Sequence, residues 1–184
     1  MEERRIIYKG KTTKGTNVVV RYPTKNDLQQ MTDYINILSR ERTYILFQGE
    51  ETSLEEEKEF LDSLLKKISV NKVTYLLVLH NDKMVGSCSI KMKDKVEKHV
   101  GELGISIAKD FRGKGIGKLL MKLVLEEAKK NLSDLKICVL GVFGDNDIAK
   151  KMYINFGFKE FGKLPGGVRH KDKFVDHYYM YKEI

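Results

Sequence analysis

Apolar and polar positions repeat along this chain with two different periods, and the places where one period gives way to the other mark out its elements. NVVVRY, residues 17 to 22, is a short β-branched run and predicts a strand. Thr24, with Asp27 three residues on, imitates a capping box and predicts a helix start near residue 25. Leu28, Met31, Ile35 and Leu38 carry that helix forward on one face. Ser53 and Glu56 form a second capping pair, followed by the stripe Phe60, Leu61, Leu64, Leu65 and Ile68. The segment between the two helices, RTYILFQGEE, reads as a loop.

The pattern then shortens. VTYLLVLH (73 to 80) and MVGSCSIKM (84 to 92) predict strands around a tight turn at Asn81, Asp82 and Lys83, and the polar DKVEK returns the chain into HVGELGISI (99 to 107). That is an antiparallel meander. After it come a glycine loop, an amphipathic helix, the apolar strand LKICVLGVF (135 to 143), another helix, and the closing strand FVDHYYMYKE (174 to 183). This order argues an α+β fold with a mixed sheet. No repeat, low-complexity tract or linker divides it, so a single domain over residues 17–184 is expected, with residues 1–16 as a polar, lysine-rich lead or edge extension.

With 41 % hydrophobic and 33 % charged residues in 184, and only two prolines, a folded chain is expected rather than a disordered one. No apolar stretch approaches the ~20 residues of a membrane span, and MEERRIIYKGK lacks the apolar core of a secretion signal. A cytoplasmic protein with no membrane partner is therefore expected. Cys88 and Cys138 lie in strand-like runs and read as buried thiols rather than a disulfide. The net charge of +8 invites nucleic acid, but six glutamates crowd residues 50 to 59, and only DHYYMYK interleaves aromatics with charge. A polyanionic small molecule fits the charge equally well. His80, His99, His170 and His177 are scattered without metal-ligand spacing, so they read as surface or core residues and no metal is expected.

One stretch asks for a ligand. DFRGKGIGKLL, residues 110 to 120, strings Gly113, Gly115 and Gly117 among Arg112, Lys114 and Lys118, directly ahead of a stripe at 116, 119, 120, 123, 124 and 128. At a helix start the first N–H groups lack partners and the dipole is positive, while glycine lets an anion approach the bare backbone. Such a stretch suits a phosphate, although a solvent-exposed turn uses the same residues. The dinucleotide fingerprint fails, because Lys118 stands where its last glycine belongs. The nucleotide P-loop spacing occurs only from Gly157 to Lys163, and it leads into Leu164 and Pro165, not a helix.

What fits is R-x-x-G-x-G, set by Arg112, Gly115 and Gly117, after a strand ending in GISI and before an amphipathic helix. This resembles the coenzyme A loop of the GNAT N-acetyltransferase superfamily. NDIAKKMYINFGF, with Asn146, Ala149, Tyr153, Gly157 and Phe158, is similar to that family's second coenzyme-contacting helix and its terminal Gly-Phe. The resemblance covers residues 99 to 158 well and the rest by element order. It implies a mostly antiparallel sheet flanked by about four helices.

The resemblance also implies acetyl-CoA as cosubstrate and a primary amine as acceptor. The backbone from Arg112 through Gly113, Lys114, Gly115 and Ile116 to Gly117 would hold the pyrophosphate, with charge from Arg112, Lys114 and Lys118. Backbone N–H groups of Ile105, Ser106 and Ile107 would meet the pantetheine and the acetyl carbonyl. Asn146, Ala149 and Tyr153 would line the coenzyme from the second helix. An alkyl amine of pKa about 10.4 is charged at neutral pH, so a carboxylate must assist its deprotonation. The resemblance gives that role to Glu102, with Glu50 and Glu51 as runners-up, and gives Tyr153 the proton for the leaving thiolate. The bland alternatives are a half-exposed strand residue pairing with a lysine for Glu102 and a core tyrosine for Tyr153. A silent acyl-CoA sensor and a basic nucleic-acid module are the rival functions. Acceptor choice would rest on loops 40 to 52 and 162 to 173, and a homodimer is common in the family.

Overall fold

A computed structural model of the chain describes residues 5–184. One eight-stranded sheet runs through it in the order β1-β2-β3-β4-β5-β6-β8-β7. Its strands are β1 (Ile6–Lys11), β2 (Asn17–Arg21), β3 (Val73–His80), β4 (Lys83–Met92), β5 (Val100–Ile107), β6 (Ile137–Phe143), β7 (Lys159–His170) and β8 (Lys173–Glu183). Only β5 and β6 pair in parallel; every other neighbouring pair is antiparallel. Four α-helices, α1 (Leu28–Arg40), α2 (Leu54–Ser69), α3 (Ile116–Asn131) and α4 (Asp147–Asn155), flank this sheet. The α+β class is as expected.

The alternation within each strand assigns the two faces. Leu76, Val78, Cys88, Ile90, Leu103 and Cys138 pack with Ile116, Leu120, Val124 and Ala128 of α3 and with Tyr153 of α4 in the larger core. Val73, Tyr75 and Met84 meet Met31 of α1 and Leu61 and Leu64 of α2 in a smaller one. The predicted helical stripes face these cores, except that Phe60 of the α2 stripe is exposed, and Ser53 caps α2 by accepting the Glu56 N–H. At residue 25 the chain first makes one 3₁₀ turn (Lys25–Asp27) before α1 begins.

Two strands were not foreseen, and both are edges. β1 falls within the predicted lead and pairs with β2. β7 occupies much of what reads as a loop at 162 to 173, with register breaks between Glu160 and Gly162 and between Leu164 and Val168. An edge strand with both faces largely exposed shows no period-two pattern, and its bulges tolerate Gly162, Pro165 and Gly166. Asn81 and Asp82 join β3 to β4 with positive φ at both positions, the two-residue turn that matches strand twist. Cys88 and Cys138 are free and buried, and burial pushes the Cys138 thiol up to about 12. Among the described residues no helix is long and apolar enough to cross a membrane.

Candidate active site

Between β5 and β6 the sheet opens. The strands pair only at Val100, Gly101 and Glu102 against Ile137, Cys138 and Val139. Beyond that point β5 continues to Ile107 against β4, and β6 continues to Phe143 against β8. The edges that face each other past Glu102 are therefore unpaired. Val100 O accepts from Lys93, and the Ala108 N–H donates to Val85 O, both on the β4 side. Strand alternation then turns the N–H groups of Glu102, Gly104 and Ser106 toward β4 and those of Leu103, Ile105 and Ile107 toward the opening. Of the three expected backbone donors, Ile105 and Ile107 face the gap. Ser106 does not: its hydroxyl lies 3.0 Å from the Tyr34 hydroxyl and 3.3 Å from Ser87 Oγ on the α1 side of the sheet.

The glycine loop follows the free end of β5. Gly113 and Gly115 adopt φ of +75° and +81°, which L side chains rarely reach. Gly115 starts α3, and no side chain caps it. By contrast, Ser53 caps α2 and Asn146 caps α4, its Oδ1 accepting the Ala149 N–H. The first full helical bond runs from Leu119 to Gly115 O, leaving the N–H groups of Ile116, Gly117 and Lys118 ahead of it. An open, positive helix end with no Cβ at Gly113, Gly115 or Gly117 is built for an anion.

The surrounding cations are arranged less simply than their spacing suggests. Arg112 turns back, donating from Nε to Ile107 O at 2.9 Å and pairing with the Glu41 carboxylate. The Lys114 ammonium lies 4.9 Å above the Phe111 ring centroid, while Lys118 is exposed. Glu41 begins the loop between α1 and α2, which is fastened across the end of the opening. Tyr44 donates to Asp145 O at 3.3 Å and meets the Phe143 ring edge-on. His170, 3 % exposed, has Nδ1 at 3.0 Å from Asp145 Oδ2 and Nε2 at 3.1 Å from Arg42 O. By sequence His170 reads as a surface or core residue; it is buried and latches three segments together.

The candidate acid and base lie on opposite faces. Glu102 is the last β5 residue paired to β6, at the apex of the opening, and its exposed side chain is on the face of Ser106. Lys91 stands opposite it in register, but among the described residues the two form no ion pair. Tyr153, 6 % exposed, projects from α4 on the other face and stacks obliquely on Phe158. Burial, with a smaller push from Cys88, raises its pKa, so it stays a phenol through the neutral range. Its hydroxyl has no hydrogen-bond partner among the described residues, nor is it a sealed buried orphan. Ala149 is half-buried on the same helix. Glu50 is held below the usual carboxylate range by the Gln48 N–H, and Glu51 pairs with Arg40 at 2.8 Å. Among the described residues no group of three or more His, Cys, Asp or Glu could hold a metal ion.

A family model described as the Acetyltransferase (GNAT) family matches residues 33–158. The chain belongs to the GNAT acetyltransferase family. Solved structures agree in fold along nearly the whole chain. A GNAT-family acetyltransferase from Streptococcus pneumoniae is 27 % identical, with a TM-score of 0.82 over 91 % of this chain and 99 % of that one. A ribosomal-protein-alanine N-acetyltransferase from Brucella melitensis is 22 % identical, with a TM-score of 0.78 over 90 % and 99 %. RimL, a ribosomal L7/L12 alpha-N-protein acetyltransferase solved with coenzyme A, is 14 % identical, with a TM-score of 0.79 over 98 % of each chain. The matched span takes in the GNAT chain's β5 opening, glycine loop, α3 and α4 together.

Proposed function

We propose that this GNAT enzyme transfers the acetyl group of acetyl-CoA to a primary amine, a protein N-terminus or a small-molecule amine, by direct attack of the amine on the thioester. The observation that carries the reading is the uncapped start of α3 beside the unpaired edges of β5 and β6. RimL was solved with coenzyme A bound, which supports the same ligand class. Here the pyrophosphate would lie on the N–H groups of Ile116, Gly117 and Lys118, with Gly113 and Gly115 clearing space for it. Lys114 and Lys118 add positive charge outside, and Arg112 fixes the loop to β5 through Ile107 O. Ile105 and Ile107 offer backbone N–H groups along the slot, and Ala149 borders it from α4.

Acetyl-CoA supplies an activated acyl group; the chain's own residues handle protons. Glu102, at the apex, accepts the proton that the attacking ammonium must lose. Tyr153, uncharged and with its hydroxyl unbonded, supplies the proton that the departing thiolate takes up. Catalysis occupies residues 17–184, with β1 extending the sheet edge, and the two reduced cysteines suit a cytoplasmic enzyme. An acetyl-CoA consumption assay against peptide N-termini, polyamines and amino acids tests the proposal. Turnover with at least one amine, with the acetyl group found on its nitrogen, is expected; tight coenzyme binding with no turnover on any would mark a sensor instead.

A further inference from the structure

Past Glu102 the ladder between β5 and β6 stops, yet the far ends of the two strands are joined by a chain of polar contacts. At the β5 end, Arg112 donates from Nε to Ile107 O and pairs with the Glu41 carboxylate. Arg42, the next residue after Glu41, presents its carbonyl to His170 Nε2 at 3.1 Å and holds a φ of +45°, which L side chains rarely adopt. His170 Nδ1 lies 3.0 Å from Oδ2 of Asp145, which follows the end of β6 and directly precedes the Asn146 cap of α4. His170 is thus the link that closes a strap across the mouth of the opening.

We infer, resting on the acetyl-transfer reading above, that His170 works as the imidazolium and is a positioning residue for the coenzyme slot, fixing the separation of the β5 and β6 ends. Both ring nitrogens face oxygens that accept, a carboxylate and a backbone carbonyl. A neutral ring carries one N–H and satisfies one of them, whereas the imidazolium donates to both. The bond to Asp145 is then charge-assisted at both ends. The ring is buried, with the Tyr44 centroid 4.7 Å and the Phe143 centroid 5.4 Å from its own, within the range at which aromatic groups attract a cation. The separation that the strap sets decides whether the coenzyme arm can reach the Ile105 and Ile107 N–H groups with α4 on its other side.

Charged groups face this ring from each neighbouring element. The α1–α2 loop brings Glu41, Arg42 and Tyr44, and the β6–α4 turn brings Asp145. Lys109 and Arg112 follow β5, and Lys171 adjoins His170 in the turn to β8. Arg169 and Asp172 pair with each other beside it, and His177 of β8 stands against the Phe143 ring. Arg112 engages Glu41, so Asp145 is the anion that favours the charged ring while Lys109 and Lys171 oppose it. The strap is therefore complete at lower pH and loses one bond when the ring gives up a proton.

Long-range proton–nitrogen NMR on the full chain reads the ring directly. In the resonances that His170→Gln abolishes, both nitrogens should carry protons at about pH 7, and one should lose its proton as the pH rises. By calorimetry, acetyl-CoA affinity should fall at least about fivefold in His170→Gln, and wild-type affinity should weaken between about pH 6 and about pH 9. Asp145→Asn offers Nδ1 an amide donor, so a neutral ring can accept there and still donate to Arg42 O; affinity in that variant should stay level over the same range. The other groups named above remain in Asp145→Asn, and the coenzyme's own phosphates titrate alike with both proteins, so the difference in slope belongs to His170. A single ring proton at about pH 7, unchanged affinity in a folded His170→Gln, or equal slopes in the wild type and Asp145→Asn would overturn the strap alone. A wild type that binds no acetyl-CoA at any pH would overturn the acetyl-transfer reading together with it.

Discussion

The Thr12 hydroxyl donates to the carbonyl of Lys114 at 2.7 Å, joining the β1–β2 turn to a glycine loop 102 residues further along the chain. The same oxygen accepts from the N–H groups of Lys14 and Thr16, so the turn is itself held firm. A Cβ on Gly115 would stand 3.0 Å from Thr13 Oγ1 and 3.3 Å from Thr12 Cβ. The hairpin therefore braces the loop from outside and fixes the direction of the free N–H groups at the start of α3.

Thr12→Val removes that donor and keeps the shape. Loss of the donated bond and of the two that the oxygen accepts should lower the melting temperature by a few degrees and, by loosening the loop, weaken coenzyme binding roughly fivefold, about 1 kcal/mol. Unchanged affinity by calorimetry would reduce the contact to a packing role.

Glu102→Gln keeps size and register and removes the base. The rate should fall most where the acceptor is fully protonated and recover in part as the pH approaches the amine's own pKa. An equal loss at every pH would mean that Glu102 positions the acceptor without taking its proton.

The helices were legible in the sequence because each carries its own evidence: a capping pair or glycine start, then a stripe that meets one core. β1 and β7 were not, since an exposed edge strand has no buried face to impose alternation. The site divides in the same way. Gly113, Gly115, Gly117, Asn146 and Tyr153 form local patterns, and these positions could be singled out. Glu41 with Arg112, His170 with Asp145 and Arg42, and Thr12 with Lys114 are contacts across the fold, with no spacing to announce them. Glu57 is one of six glutamates in residues 50 to 59, and nothing in its local pattern marks it as the one that tertiary packing buries.

Glu57 also makes stability depend on pH. Its folded pKa, about 7, lies above the reference of 4.5, so the protonated folded form is favoured; that stabilisation is complete below about 4.5 and lost as pH rises through 7. Glu57→Gln should therefore melt several degrees above the wild type at pH 8 and close to it at pH 4.5, a difference of up to roughly 3 kcal/mol. The same difference at both pH values would assign the effect to packing.

Tyr153→Phe removes one hydroxyl that has no protein partner, so the melting temperature should hold. Turnover should fall about 10²-fold while acetyl-CoA affinity changes little. Wild-type turnover would leave Tyr153 as a core residue.

The proposed acetyl transfer depends on the open start of α3 as the coenzyme's anchor, and a calorimetric titration of acetyl-CoA into the wild type and Gly115→Asp addresses it directly. At a φ of +81°, against Thr12 and Thr13, aspartate brings strain, a side chain and a negative charge to the place where the pyrophosphate would lie. Clear binding by the wild type is expected, with a loss of about 100-fold or more in a variant that keeps its circular dichroism spectrum. Equal affinity in the two proteins, or no binding by the wild type, would contradict it.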